Sequence, residues 1–322
     1  DGSSGLNVLV AGPGTIGASL ALCCAMHGHR VQLLGRREAA LDRARVEMQR
    51  ASDELASAGL LPARANGWAA RIDTGVSVAA AAADAGIVLE AINEDVEAKR
   101  ALFAELEAAL RPGVAIASST SGLAVDALAA GLDDPSRFVV AHFANPPLLM
   151  PMVEIVPGSK TRPEVVDAVS EFVRGLGKSP ARLKRDIPGH IFNRIQFAML
   201  REAIALVSTG VATLEEIDTV VKRGLALRLA EEGPLEKIDL AGVQLVHDVA
   251  SYLFPDLDCS KTAATLGEML AEGRLGAAVG RGFYDWTDAH ARSVIERRNA
   301  EVIRHLKRLD AVRPSAPTAP DS

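Results

Sequence analysis

Leu9-Val10-Ala11-Gly12-Pro13-Gly14-Thr15-Ile16-Gly17 is the stretch on which the reading of this chain turns. An apolar run over residues 6–10 leads into it, and residues 18–26 leave it as an Ala/Leu-rich helix. Strand, glycine turn and helix, in that order, are the setting that a dinucleotide-binding G-x-G-x-x-G needs. Gly12 permits the tight turn, Gly14 lets backbone amides approach a pyrophosphate, and Gly17 lets helix and strand pack closely. The helix start, through Thr15 and Ile16, offers unpaired N–H groups and partial positive charge to the phosphates. The motif alone leaves an ordinary tight turn as the alternative.

Outward from that turn, strands and helices alternate. Strands are predicted over 30–34, 87–91, 114–117, 138–143, 152–156 and 181–184. Helices are predicted over 38–60, 95–110 and 163–176. This alternation indicates an α/β fold of the Rossmann type, with a mostly parallel sheet covered on both faces. After Asp186-Ile187-Pro188-Gly189 the strand signals nearly vanish. Helices are predicted over 192–209, 214–225, 235–253, 262–272 and 289–309. The expected organisation is a dinucleotide-binding domain over 6–187, an all-α domain over 188–310 and a disordered Ala/Pro/Ser tail over 311–322. Apolar helical stretches such as 243–253 exceed what one small bundle must cover, which predicts a homodimer through the C-terminal helices.

Composition narrows the function classes. The chain has 322 residues and a net charge of −6, with Lys and Arg scattered rather than clustered. That pattern gives no nucleic-acid surface. No apolar run reaches a membrane-spanning length and no signal peptide is visible. Of three cysteines, the adjacent Cys23 and Cys24 read as small buried side chains, and the cytosol fits. His190, His247, His290 and His305 have no metal-ligand spacing and read as surface or helix residues.

Open α/β sheets bind ligands outside the carboxyl ends of their strands. Ser119-Thr120-Ser121 falls at one such end and His142 at another. Glu154 lies inside an apolar run, Met150-Pro151-Met152-Val153-Glu154-Ile155-Val156-Pro157. A carboxylate there is costly unless paired, and His142 is its most economical partner. The pair would be a base oriented by an acid. Two unrelated, separately satisfied polar residues remain the alternative at this point.

His142-Phe143-Ala144-Asn145-Pro146-Pro147, followed by Val153-Glu154, resembles the His-Phe-x-Asn-Pro signature of the 3-hydroxyacyl-CoA dehydrogenase family. Ser119-Thr120-Ser121 resembles its Asn-Thr-Ser. Residues Asp186 to Arg194 resemble its Asp-x-Pro-Gly-Phe-x-x-Asn-Arg, and Gly280-Arg281-Gly282-Phe283-Tyr284 resembles its Gly-x-Gly-Phe-Tyr close. Order and spacing agree from about residue 7 to residue 286. The resemblance implies an NAD(P)-dependent oxidoreductase acting on CH–OH. In it, His142 takes the hydroxyl proton as hydride leaves for the nicotinamide, Glu154 orients His142, and Ser121 and Asn193 hold the reacting oxygen. Asn193 would come from the second domain, placing the site between domains. Glu94 and Lys99 match family positions near the nicotinamide; a solvated helix start is the other reading for both.

Two departures matter. The family's Asn before Thr-Ser is Ser119 here. At the end of the second strand, where an NAD-preferring fold carries Asp or Glu for the ribose, this chain has Gly35-Arg36-Arg37. Two guanidinium groups suit a 2′-phosphate, so NADP is expected, with NAD as the alternative. The substrate expected from the family is a 3-hydroxyacyl thioester, on CoA or an acyl carrier protein. The alternative is a free hydroxy acid, because Pro146 to Pro151 looks closer to the gulonate and carnitine dehydrogenase branch. The 60–71 link, where fatty-acid members carry a Lys-rich clasp for CoA, holds only Arg64 and Arg71. A catalytically silent dinucleotide-binding protein is the remote alternative.

Overall fold

The computed structural model describes residues 5–312. In chain order these form β1 (Asn7–Ala11), α1 (Thr15–Met26), β2 (Arg30–Leu34), α2 (Glu38–Ala58), β3 (Ile72–Gly75), α3 (Val78–Ala82), β4 (Ile87–Glu90) and α4 (Val96–Ala109). They continue as β5 (Ala115–Ser118), α5 (Val125–Ala129), β6 (Phe138–Phe143), β7 (Met152–Pro157), α6 (Pro163–Gly175) and β8 (Ser179–Arg182). The remainder is helical: α7 (Phe192–Ser208), α8 (Leu214–Val220), α9 (Ala226–Leu229), α10 (Pro234–Ala241), α11 (Val243–Leu253), α12 (Ala264–Ala271) and α13 (Asp288–Val312).

The eight strands form one sheet in the order β3-β2-β1-β4-β5-β6-β7-β8. Neighbouring strands are parallel except at β6–β7. The chain order reverses beside β1, between β2 and β4, so the carboxyl ends of β1 and β4 flank the crevice where such sheets take ligands. Side-chain alternation along the strands feeds two cores. Val8, Val10, Val139 and Ala141 pack with α1, α2 and α6 on one face. Leu9, Ala11, Phe138 and Val140 pack with α3, α4 and α5 on the other. In α2 the buried side chains Leu41, Ala44, Met48, Ser52 and Leu55 recur every three or four residues, a single stripe on an otherwise charged helix.

Several expectations are corrected. The helix expected over 235–253 is broken by Gly242, whose φ of 93° separates α10 from α11. That expected over 214–225 stops at Val220 and passes into a π-helical turn, Val221–Leu225. The last strand is Ser179–Arg182, offset from 181–184 because Met152 of β7 pairs with Ser179. β3, α3 and α5 were not anticipated. They are four or five residues long, too short for a periodic signal to build up. Residues 311 and 312 continue α13, and the rest of the expected tail lies outside the described residues.

The chain resolves into two compact units, one comprising the residues up to Asn193 with those from Arg298 on, the other Arg194–Arg297. The division falls a little beyond the expected boundary at 187, and Asn193 counts with the first unit. In the second unit, Met269 and Gly282 are the buried residues among 194–297. Leu227, Leu235, Leu240, Tyr252 and Phe254 are each 67–76% exposed. No helix among the described residues is long and apolar enough to cross a membrane.

Candidate active site

The glycine turn carries the steric signature of a phosphate loop. Gly12 has φ of 113°, and a Cβ there would meet the Ala91 carbonyl oxygen at 2.6 Å. A Cβ on Gly17 would stand 1.7 Å from the Gly12 oxygen. Around Gly14 there is open space to 4 Å, which leaves the backbone approachable. Gly14 caps α1 with no side-chain cap and no acidic residue in the first turn. The first amides of a helix have no intrahelical acceptor, so those of Thr15, Ile16 and Gly17 suit an anion. These features fit a dinucleotide pyrophosphate.

At the far end of the ribose-reading edge, Gly35 follows β2. A Cβ at residue 35 would meet Pro13 Cγ and Leu41 Cδ2, each at 2.9 Å. A side chain at this position would have to displace Leu41 or Pro13. Arg36 and Arg37 follow it, exposed and without a hydrogen bond or ion pair of their side chains among the described residues. Glu38, in the first turn of α2, is the nearest carboxylate in sequence.

His142 and Glu154 occupy directly paired positions of the antiparallel strands β6 and β7. His142 Nδ1 lies 2.8 Å from Glu154 Oε2. The other carboxylate oxygen, Oε1, accepts the backbone N–H groups of Ile191 at 2.7 Å and Phe192 at 2.9 Å, at the start of α7. Glu154 is 1% exposed and His142 5%. Burial works to raise the carboxyl pKa. The hydrogen bonds from His142, Phe192 and Ile191, with the His142 charge, outweigh it, so the net displacement is downward and the carboxylate stays ionised.

One residue further, Asn193 donates from Nδ2 to the Ser121 carbonyl oxygen at 2.8 Å. The Ser121 N–H donates in turn to Glu94 Oε1 at 2.9 Å, and the Thr120 hydroxyl donates to the same oxygen. Glu94 Oε2 lies 3.4 Å from Lys99 Nζ. A chain of contacts thus joins the loop after β5, the start of α4, the start of α7 and the His142–Glu154 pair. It brings together Ser121, Asn193, Glu94 and Lys99 in one constellation, all within the first compact unit.

Lys99 is not a solvated helix start. It is 1% exposed, and its ammonium is taken by Glu90 Oε1 at 2.6 Å, with the Ile92 carbonyl at 3.3 Å. Its contribution is to hold Glu94 and the loop beneath it. Glu90 was missed by sequence reasoning. It ends β4, is fully buried, and accepts the Ser118 hydroxyl at 2.5 Å and the Ile92 N–H at 2.6 Å. The signal was available, because a carboxylate closing an apolar strand poses the same question as Glu154.

Two more residues emerge only in three dimensions. Lys178 donates to the carbonyls of Leu148 at 3.3 Å and Met150 at 3.1 Å, and to that of Pro147. It clamps the connection between β6 and β7, and burial pushes its pKa down. His190, expected at a surface or in a helix, is instead fully buried beside His142, with ring centroids 5.7 Å apart. A cavity of about 250 Å³ lies beside the same connection, against Thr15, Met48, Leu148, Leu149 and Ile303; neither His142 nor Glu154 lines it.

Comparison with known proteins places these motifs in context. A family model described as 3-hydroxyacyl-CoA dehydrogenase, NAD binding domain, matches residues 7–187. Its partner, 3-hydroxyacyl-CoA dehydrogenase, C-terminal domain, matches residues 189–286. The chain is similar to 5-formyl-3-hydroxy-2-methylpyridine 4-carboxylate 5-dehydrogenase of Mesorhizobium japonicum, 30% identical over 92% of this chain and 96% of that protein. It is 39% identical to L-carnitine dehydrogenase of Streptomyces griseus over 67% of each chain. Among solved structures, a 5-formyl-3-hydroxy-2-methylpyridine 4-carboxylic acid 5-dehydrogenase described as an NAD+ dependent dismutase superposes with a TM-score of 0.88. It shares 29% identity, and the match covers 96% of this chain and 100% of that one.

Proposed function

The chain belongs to the 3-hydroxyacyl-CoA dehydrogenase family, and from that premise we propose that it oxidises the hydroxyl of a small free hydroxy acid, or reduces the matching oxo acid, with NADP(H). The observation that carries this reading is the division of the Glu154 carboxylate. One oxygen holds His142 Nδ1 and the other is held by the amides of Ile191 and Phe192, at the start of α7. A histidine fixed in that way has Nε2 left for proton transfer.

The bound nicotinamide supplies the hydride acceptor or donor. His142 accepts the hydroxyl proton at Nε2 during oxidation and returns it during reduction. Glu154, ionised by its donors, stabilises the imidazolium and fixes the tautomer with its proton on Nδ1. Ser121 and Asn193, tied to each other through the Ser121 carbonyl, position the reacting oxygen. The amides of Thr15, Ile16 and Gly17 hold the pyrophosphate. Glu94 and Lys99 act at the nicotinamide end by fixing the Thr120–Ser121 loop. Arg36 and Arg37 hold the 2′-phosphate of NADP, which the free state of both side chains and the filled space at Gly35 support. NAD is the second reading for the cofactor. It is favoured by the NAD+ dependence of the structural relative and by Glu38 at the helix start.

The free acid is ranked above the thioester because of Arg71. Its guanidinium is spent on the carbonyls of Ala25, Arg64 and Asn66, so the 60–71 link lends that cation to its own fold rather than to a coenzyme phosphate. One relative that matches nearly the whole chain points the same way, since the Mesorhizobium enzyme is named for a pyridine carboxylate, whereas a structural relative of similar coverage is named a 3-hydroxyacyl-CoA dehydrogenase. The family itself keeps the thioester as the second reading. We further propose a homodimer through the second unit, whose apolar helices are left uncovered in the single chain. Turnover of short 3-hydroxy acids and of their CoA thioesters, each with NADP and NAD at equal concentration, tests the assignment. Thioesters outperforming every free acid would reverse it.

A further inference from the structure

His190 departs from the family's usual phenylalanine and is held at some cost. It is the one non-glycine residue with positive φ, 51°, among the described residues. Histidine tolerates that conformation better than most side chains, yet it remains unfavourable outside glycine. The side chain is fully buried, and neither ring nitrogen makes a hydrogen bond among the described residues. Asp186 Oδ1 lies 3.5 Å from Nδ1, close enough to orient the ring but without hydrogen-bond geometry. Backbone strain and unpaired buried polar atoms on one residue call for an explanation.

The explanation lies in what His190 touches at both ends. Its left-handed backbone, following Gly189 at φ 77°, turns the chain so that the next two amides, Ile191 and Phe192, converge on Glu154 Oε1. Successive N–H groups after such a turn form an anion-binding concavity. Its ring packs against His142, at 5.7 Å between centroids and a tilt of 53°. The backbone therefore serves the acid of the catalytic pair, and the ring faces the base.

We propose that His190 is a positioning residue for the His142–Glu154 pair, its ring favouring the protonated form of His142 while its backbone aims two amides at Glu154. This rests on the assignment of His142 as the base. Asp186 beside Nδ1 favours the tautomer with its proton there, which leaves a lone pair on Nε2. In a low-dielectric interior such a lone pair, on a ring packed against His142, stabilises a positive charge forming on the adjacent imidazole. The groups facing His190 are His142 from β6, Glu154 from β7 and Asp186 from its own segment. Burial holds the His190 pKa below the ordinary histidine value, so it stays neutral while His142 cycles.

The test is the pH profile of His190→Phe and His190→Asn in both reaction directions. Phenylalanine keeps the ring bulk, and asparagine tolerates the left-handed backbone, so at least one variant folds. Both lose the imidazole lone pair at Nε2. The expected result is a shift of the His142-controlled limb to lower pH by on the order of half to one unit. It is accompanied by a fall in kcat of about 10-fold with KM for acid and cofactor unchanged. A limb at the wild-type pH in every variant that folds, or one moved to higher pH, overturns the proposal. His142→Ala separates the two claims: if it is inactive while the His190 variants keep the wild-type profile, His142 is the base and His190 is only packing.

Discussion

Glu154 Oε2 stands 2.8 Å from His142 Nδ1, on two residues placed opposite each other by the β6–β7 register. A pairing set by strand register is rigid, because slipping one strand by one residue would turn its side chain to the other face of the sheet, away from its partner. The site is therefore built into the sheet rather than hung on a loop.

Glu154→Gln keeps the shape but removes the charge. It leaves His142 with a weaker orienting partner and sets an NH2 or a neutral oxygen against the amides of Ile191 and Phe192. Turnover should fall at least about 100-fold, and stability by about 3–5 kcal/mol, as when one partner of a buried pair is removed. Steady-state kinetics and denaturant titration check the two effects separately. The pH dependence has a definite sign. Glu154 has a lowered native pKa, so its stabilisation is complete above the ordinary glutamate range and is lost as pH falls through the depressed native value. His190, also lowered, acts in the same direction from the ordinary histidine value downward, because the unfolded chain binds its proton first. Stability should thus decline on acidification in two stages.

Lys99→Met would strand Glu90, which is fully buried. The expected loss is about 3–5 kcal/mol, and Glu90→Gln combined with Lys99→Met should recover part of it. Additive losses in the double variant would mean that the 2.6 Å contact between the two carries no coupling.

Arg36→Ala with Arg37→Ala should lower kcat/KM for NADP by roughly 10-fold or more, with NAD turnover little changed, since each lost contact is charge-assisted. Wild-type enzyme that uses NAD as well as NADP would refute the 2′-phosphate assignment, and Glu38 would then be the residue to test.

Sedimentation velocity should return a species of twice the chain mass. Introducing aspartate at Leu240 and Tyr252, which are 74% and 70% exposed in the single chain, should shift it to a smaller or aggregating form. A wild-type monomer would leave the uncovered helices without an occupant.

Much of this was legible in the sequence because the deciding features are local. Gly12, Gly14 and Gly17 each answer a different steric need, and those needs follow from a strand turning into a helix. Glu154 announced itself as a charge in an apolar strand. What stayed hidden depends on distant neighbours. His190 looks like any loop histidine until its backbone conformation and its contact with His142 are known. Lys99 looks solvated until Glu90, nine positions earlier in sequence, is seen to claim it. Gly242 could have marked the break between α10 and α11, but the apolar pattern runs through it on both sides and masks the turn.

The most direct measurement is the single-turnover rate of hydride transfer by His142→Ala, at saturating cofactor and with the best hydroxy acid of the panel. The account predicts a rate at least about 100-fold below wild type with cofactor affinity unchanged. A rate within a few-fold of wild type would contradict it.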